Sequence, residues 1–170
     1  IERGGRNFPV GHAALGGHVP VVIAPARSDL DATDAAFGDG TRRRSPFGLV
    51  QDVLNEDDRA LWGIVTNGAR LRVVRDNRTL TRPAWIEADL ARLFGDRDYA
   101  SFSALWLLIH QSRFGPTPAE CPLERWRIAG EKDGQRALAT ASARRSPRLG
   151  RASSTTRQTW PCGRRSTTAR

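Results

Sequence analysis

LWGIVTNGARLRVVR, residues 61–75, decides the fold: two β-rich runs flank Asn67–Gly68. Asn-Gly is the dipeptide that best tolerates the positive φ angles of a tight turn, so the stretch is predicted to be a β-hairpin. Alternation along its second run puts Leu71 and Val73 on one face, and Arg70, Arg72 and Val74 on the other.

Upstream, VPVVIAP within residues 18–25 is a short β-branched run bounded by prolines, the mark of a buried strand. Residues 1–18 are Gly-rich and expected to be irregular. Residues 26–44 are expected to form a polar, solvated loop with Asp29, Asp31, Asp34 and Asp39, ending in Arg42, Arg43 and Arg44. Ser45–Pro46 then starts a helix, with serine as N-cap and proline at the first helical position. Phe47, Val50, Val53 and Leu54 fall on one face of it.

Downstream, residues 83–86 are expected to be extended and 87–94 to make a helical turn or two. Residues 98–114 are the second strong element. Tyr99, Phe102, Leu105, Trp106, Leu108 and Ile109 form a wide apolar stripe at helical spacing, expected to be buried. Its exposed faces, without further helices to cover them, would leave the fold only marginally stable. Gly115–Pro118 stops that helix, 123–129 opens another, and 132–134 are polar. The expected fold is α/β (α+β), a small sheet containing the hairpin and packed by the helix at 98–114. Trp62, Trp106 and Trp126 are expected to be core residues.

The net charge of +9 suggests a nucleic-acid binder at first sight. Its distribution alters that inference. Residues 1–136 hold 19 Lys/Arg against 18 Asp/Glu, whereas 137–170 hold eight arginines and no acid. Two domains follow: a near-neutral body, 1–136, and a basic tail, 137–170, whose composition and lack of period predict disorder. With 26 arginines and one lysine, Lys132, the chain suggests GC-rich coding DNA. Synonymous codons for 151–170 exist whose shifted frame reads GFLDHPANLALREAIDDGT, and 136 onward similarly gives GARDRLREAF. We therefore expect the tail to be out-of-frame translation, with a genuine basic tail binding phosphates as the alternative.

No run of about 18 apolar residues exists to span a membrane. Cys121 and Cys162 are too few and too far apart for a disulfide framework or a zinc site. The chain opens on Ile1 with no apolar signal segment, so a start lost upstream and a cytoplasmic setting are expected.

RRRSPFGLVQDVLN (42–55), LWGIVTNGARLRVVRDN (61–77), LTRPAWIEADL (80–90) and YASFSALWLLIHQSRF (99–114) occur in order. Together they resemble the N-terminal region of large single-polypeptide type II (IIG-like) restriction–modification DNA methyltransferases and related phage-defence methylases. The resemblance spans residues 2–136. It implies a nuclease-like N-terminal region and a parent enzyme that methylates adenine N6 from S-adenosylmethionine, with an Mg²⁺-dependent endonuclease in some members. It also implies DNA as partner through that parent, and sets no oligomeric state.

The chain itself lacks that chemistry. A methyltransferase needs a Gly-rich loop after a strand and an Asn-Pro-Pro-aromatic motif, and neither occurs. A metal-dependent nuclease needs an acid followed by Glu or Asp, one residue, and Lys. Lys132 follows Glu131 directly. No catalytic, cofactor-binding or metal residue is assigned, and the chain is expected to be a non-catalytic fragment. His110, near Arg113, is expected to be a hydrogen-bonded buried histidine rather than a base, and His12 and His18 lie in a mobile Gly-rich stretch where metal binding is not expected.

The DNA-contact candidates are Arg42, Arg43, Arg44, Arg70, Arg72 and Arg75. Either they meet phosphates, or they pair with acids such as Glu56, Asp57, Asp58 and Asp76. A standalone basic nucleic-acid-binding protein, or an interaction subunit of a defence system, are the other functions the sequence allows.

Overall fold

A computed structural model describes residues 1–56, 58–76 and 83–145. The hairpin lies inside a larger sheet. Its strands are β5, Gly63–Thr66, and β6, Arg70–Arg75, paired antiparallel with Thr66 opposite Leu71. The remaining strands are β1 Glu2–Arg3, β2 Arg6–Asn7, β3 His12–Ala14, β4 Val19–Ile23 and β7 Ala84–Asp89. β1 and β2 form a separate ribbon, and the main sheet has the order β3-β4-β5-β6-β7. β4 and β5 are parallel, with Val21 opposite Ile64, while the other neighbours are antiparallel.

A parallel pair needs a crossover, and α1, Pro46–Glu56, supplies it. Ser45 caps this helix as its sequence predicts: its Oγ accepts from Gly48 N at 2.9 Å. Leu49, Val50, Val53 and Leu54 are fully buried, and pack with Val22, Val65 and Val74 of the sheet. Each such side chain contributes about 1.5–3 kcal/mol relative to an exposed one. The helix sits so close that a Cβ on Gly63 would lie 2.5 Å from Val50 Cγ1. Glycine is required there.

The other face of the sheet carries a second core of Leu61, Trp62, Val73, Cys121 and Leu123. Leu71 joins Val73 on that side and Val74 faces α1, as the alternation predicts.

Several expectations are corrected. Asn67 does not take positive φ; of the turn residues Gly68 alone does, at +78°. Asn67 works through its side chain: Oδ1 accepts from Ala69 N at 3.0 Å and Arg70 N at 2.7 Å. Two consecutive positive φ values occur instead at Gly4 (+53°) and Gly5 (+74°), which turn β1 into β2. Residues 1–18 are therefore not irregular. Phe8 and Val10 from this region enter the first core.

β7 runs through Asp89, so 87–89 are strand rather than helix. Pairing of Arg72 with Glu87 and Arg70 with Asp89 extends the hairpin ladder and overrides a weak local helical preference. α2, Leu90–Gly95, begins only after the Asp89 cap.

α3, Tyr99–Ile109, is capped by Asp98, whose Oδ1 accepts from Ser101 N at 3.0 Å. None of its residues is buried, against expectation. Trp106 is 55 % exposed and Trp126 51 %, so neither is a core residue, whereas Trp62 is. The apolar residues of α3 run most of the way round the helix, and only Leu108 and Ile109 reach the second core.

α4, Pro122–Arg145, continues through 132–134 and past the composition break at 136. Alanine and arginine have high helix propensity whether or not their neighbours have a period. One compact unit covers Ile1–Asp133, and a second begins at Gly134. Residues 146–170, with Trp160 and Cys162, lie outside the described residues, as does Asp57. No helix among the described residues is long and apolar enough to cross a membrane.

Candidate nucleic-acid interface

The six candidate arginines divide by burial. Arg72, 8 % exposed, forks onto Asp31 with Nη1–Oδ1 at 2.6 Å and Nη2–Oδ2 at 2.8 Å. Its Nε donates to Glu87, and its guanidinium lies over the Phe47 ring at 5.1 Å. The hydrogen bonds from Arg72 hold the Asp31 carboxyl below its ordinary value, and Asp31 in turn raises Arg72.

Arg75 is buried and donates from Nε to Glu124 Oε2 at 3.0 Å, tying β6 to α4. Burial alone would raise the Glu124 carboxyl, but hydrogen bonds from Arg127 and Arg75 outweigh it and hold the group low. Arg44 is buried between Asp39, at 2.9 Å, and Asp52. These three arginines make internal ion pairs, one of the two arrangements the sequence left open. Their partners are acids other than the Glu56, Asp58 and Asp76 carboxylates suggested by proximity in sequence.

Arg42, Arg43 and Arg70 stay exposed. Arg70 makes one loose pair, 3.8 Å to Glu87, with its side chain 57 % exposed. The segment after β4 fixes the place of Arg70. Leu30 O accepts from Phe47 N at 3.0 Å, and Ser28 O accepts from Asn67 Nδ2 at 2.6 Å. The loop after β4, the start of α1 and the hairpin turn therefore meet at one end of the sheet. That is the end where the parallel strands β4 and β5 finish, the usual place for ligands in α/β sheets.

A polar cleft of about 360 Å³ opens there, lined among others by Arg27, Ser28, Asp29, Asn67 and Arg70. Sequence reasoning missed Arg27. It is exposed and holds φ at +62°, a conformation that costs an L-residue about 1–2 kcal/mol. Its one signal is its position just past a strand, and that carries weight only once β4 is known to pair in parallel.

The loop acids are exposed, and Asp29, Asp34 and Asp39 each organise backbone. Asp29 Oδ1 accepts from Asp31 N at 2.9 Å, and Asp34 Oδ1 from Ala36 N at 2.9 Å. Asp39 accepts from Thr41 and Arg42 as well as Arg44, which holds its carboxyl well below the usual range. His110 is half-buried where α3 ends, with Nδ1 2.9 Å from Ser112 Oγ.

Among the described residues no group of three or more His, Cys, Asp or Glu is placed to hold a metal ion. The turn after β4, Ala24-Pro25-Ala26, has none of the glycines that a cofactor loop requires. What the site offers is exposed guanidinium groups on a rigid sheet end, suited to phosphate oxygens. No protein-family model, curated protein or solved structure matches the chain.

Proposed function

We propose that this chain is the DNA-facing, non-catalytic N-terminal segment of a DNA restriction–modification methyltransferase. The parent would methylate adenine N6 from S-adenosylmethionine, and in an endonuclease member would also cleave DNA with Mg²⁺. The observation that carries the DNA-facing role is the exposed pair Arg27 and Arg70, which line the polar cleft at the sheet end where β4 and β5 finish. Guanidinium groups there position a phosphate backbone and carry no sequence information of their own. The ordered motifs over residues 2–136 support the choice of parent.

The test is the salt dependence of duplex DNA binding by the full chain. Replacing the exposed Arg27, Arg42, Arg43 and Arg70 by alanine should reduce the slope of log K against log salt by about 0.9 for each phosphate that is no longer neutralised. The eight arginines after residue 136 favour one alternative, a standalone basic protein that binds nucleic acid through its tail. In that case glutamine at the tail arginines would abolish binding, and alanine at the four body arginines would leave the slope unchanged.

A further inference from the structure

A groove on the opposite face of the sheet from α1, between β7 and α3, encloses about 640 Å³. Its apolar lining includes Ile86, Leu93, Leu105 and Leu108, and its rim carries Asp89, Asp96 and Asp98 against the single cation Arg92. We propose that this groove docks a basic amphipathic helix of a partner protein. The inference stands apart from the DNA-facing role, because it uses neither the arginine cluster nor the tail.

Two features show that this face is incomplete. α3 has no buried residue, yet its side chains are apolar nearly all round, a pattern that belongs to a covered helix. Beside the groove, a pocket of about 240 Å³ shares Ile86 and Leu108 with it and is walled by Trp62, Trp85 and Trp126. Trp62 Nε1 is buried there without an acceptor among the described residues. A buried donor left unmet costs about 1–3 kcal/mol.

Charge selects the occupant. Asp89 and Asp98 cap α2 and α3, and hydrogen bonds from Ser101 hold the Asp98 carboxyl low. A second copy of this chain would set an acidic rim against itself in a two-fold contact, which like charges disfavour. A helix with apolar residues at i, i+3, i+4 and i+7 flanked by Arg or Lys matches both the floor and the rim.

The experiment uses the full chain and two fluorescein-labelled synthetic helices of about five turns. Both carry the same leucine stripe, flanked by arginine in one and by glutamate in the other. In fluorescence anisotropy the arginine peptide should bind at least about tenfold more tightly, and less so as salt rises. Ala104 is exposed and lines the groove, so Ala104→Arg should keep the circular dichroism spectrum and remove that binding. Asp96→Asn should weaken it several-fold. Equal binding of the two peptides, or arginine-peptide binding indifferent to Ala104→Arg, would overturn the proposal. So would a concentration-dependent dimer in sedimentation that Ala104→Arg dissolves, since the occupant would then be a second copy.

Discussion

Arg75 and Glu124 are each nearly sealed from solvent, 4 % and 2 % exposed, and hold β6 to the start of α4. Removing one partner of such a pair strands the other charge in the interior. Glu124→Gln should therefore lower stability by about 3–5 kcal/mol, read as a shift of the urea midpoint. The double variant Arg75→Met with Glu124→Leu should cost less than either single change, because no charge is left behind. The same pair sets an acid limit. The Glu124 and Asp31 carboxyls lie below their unfolded values of 4.5 and 3.8, so their contribution is complete above those values and is lost as pH falls through the folded ones. Urea midpoints should be flat from about pH 7 to 5 and fall below about pH 4.5, and the fall should be shallower in Glu124→Gln. An acid dependence unaltered by that variant would remove Glu124 from the explanation. None of these pairings could be read from the sequence, since Arg75 and Glu124 are separated by 49 positions.

The elements whose ends are set by local chemistry were legible. Ser45–Pro46 starts α1 because a serine hydroxyl and a proline ring favour that geometry wherever the chain goes next. Ser45→Ala should cost about 1 kcal/mol in a denaturation experiment. The hairpin was legible as a hairpin, but not in the working of its turn. Asn67 serves it by bonding Ala69, Arg70 and the distant Ser28 carbonyl. Asn67→Ala should cost about 1–3 kcal/mol and speed amide exchange at both Arg70 and Ser28. A variant that disturbs Arg70 alone would show that Asn67 acts only within its own turn. The end of β7 was misplaced for a similar reason: residues 87–89 become strand by pairing with β6, a partner outside any local window.

For the whole molecule, α3 gives the clearest contrast between pattern and outcome. Its apolar spacing forecast a buried helix, yet Leu107 and Trp106 are both 55 % exposed. A buried Trp→Ala change costs about 3–5 kcal/mol. Trp106→Gln and Leu107→Gln should instead each shift stability by less than about 0.5 kcal/mol and reduce binding of a hydrophobic dye. Taken alone, the sequence determined the starts of α1 and α3, the hairpin, the two-faced strand β6 and the concentration of charge after residue 136, because caps, turns and periods act over a few residues. Tertiary structure alone decided that β4 and β5 run parallel, that Arg44, Arg72 and Arg75 are internal while Arg27, Arg42, Arg43 and Arg70 are not, and that α3 is left uncovered. Burial and ion pairing depend on which segments meet across the sheet, and a guanidinium has the same propensities whether it faces water or a carboxylate.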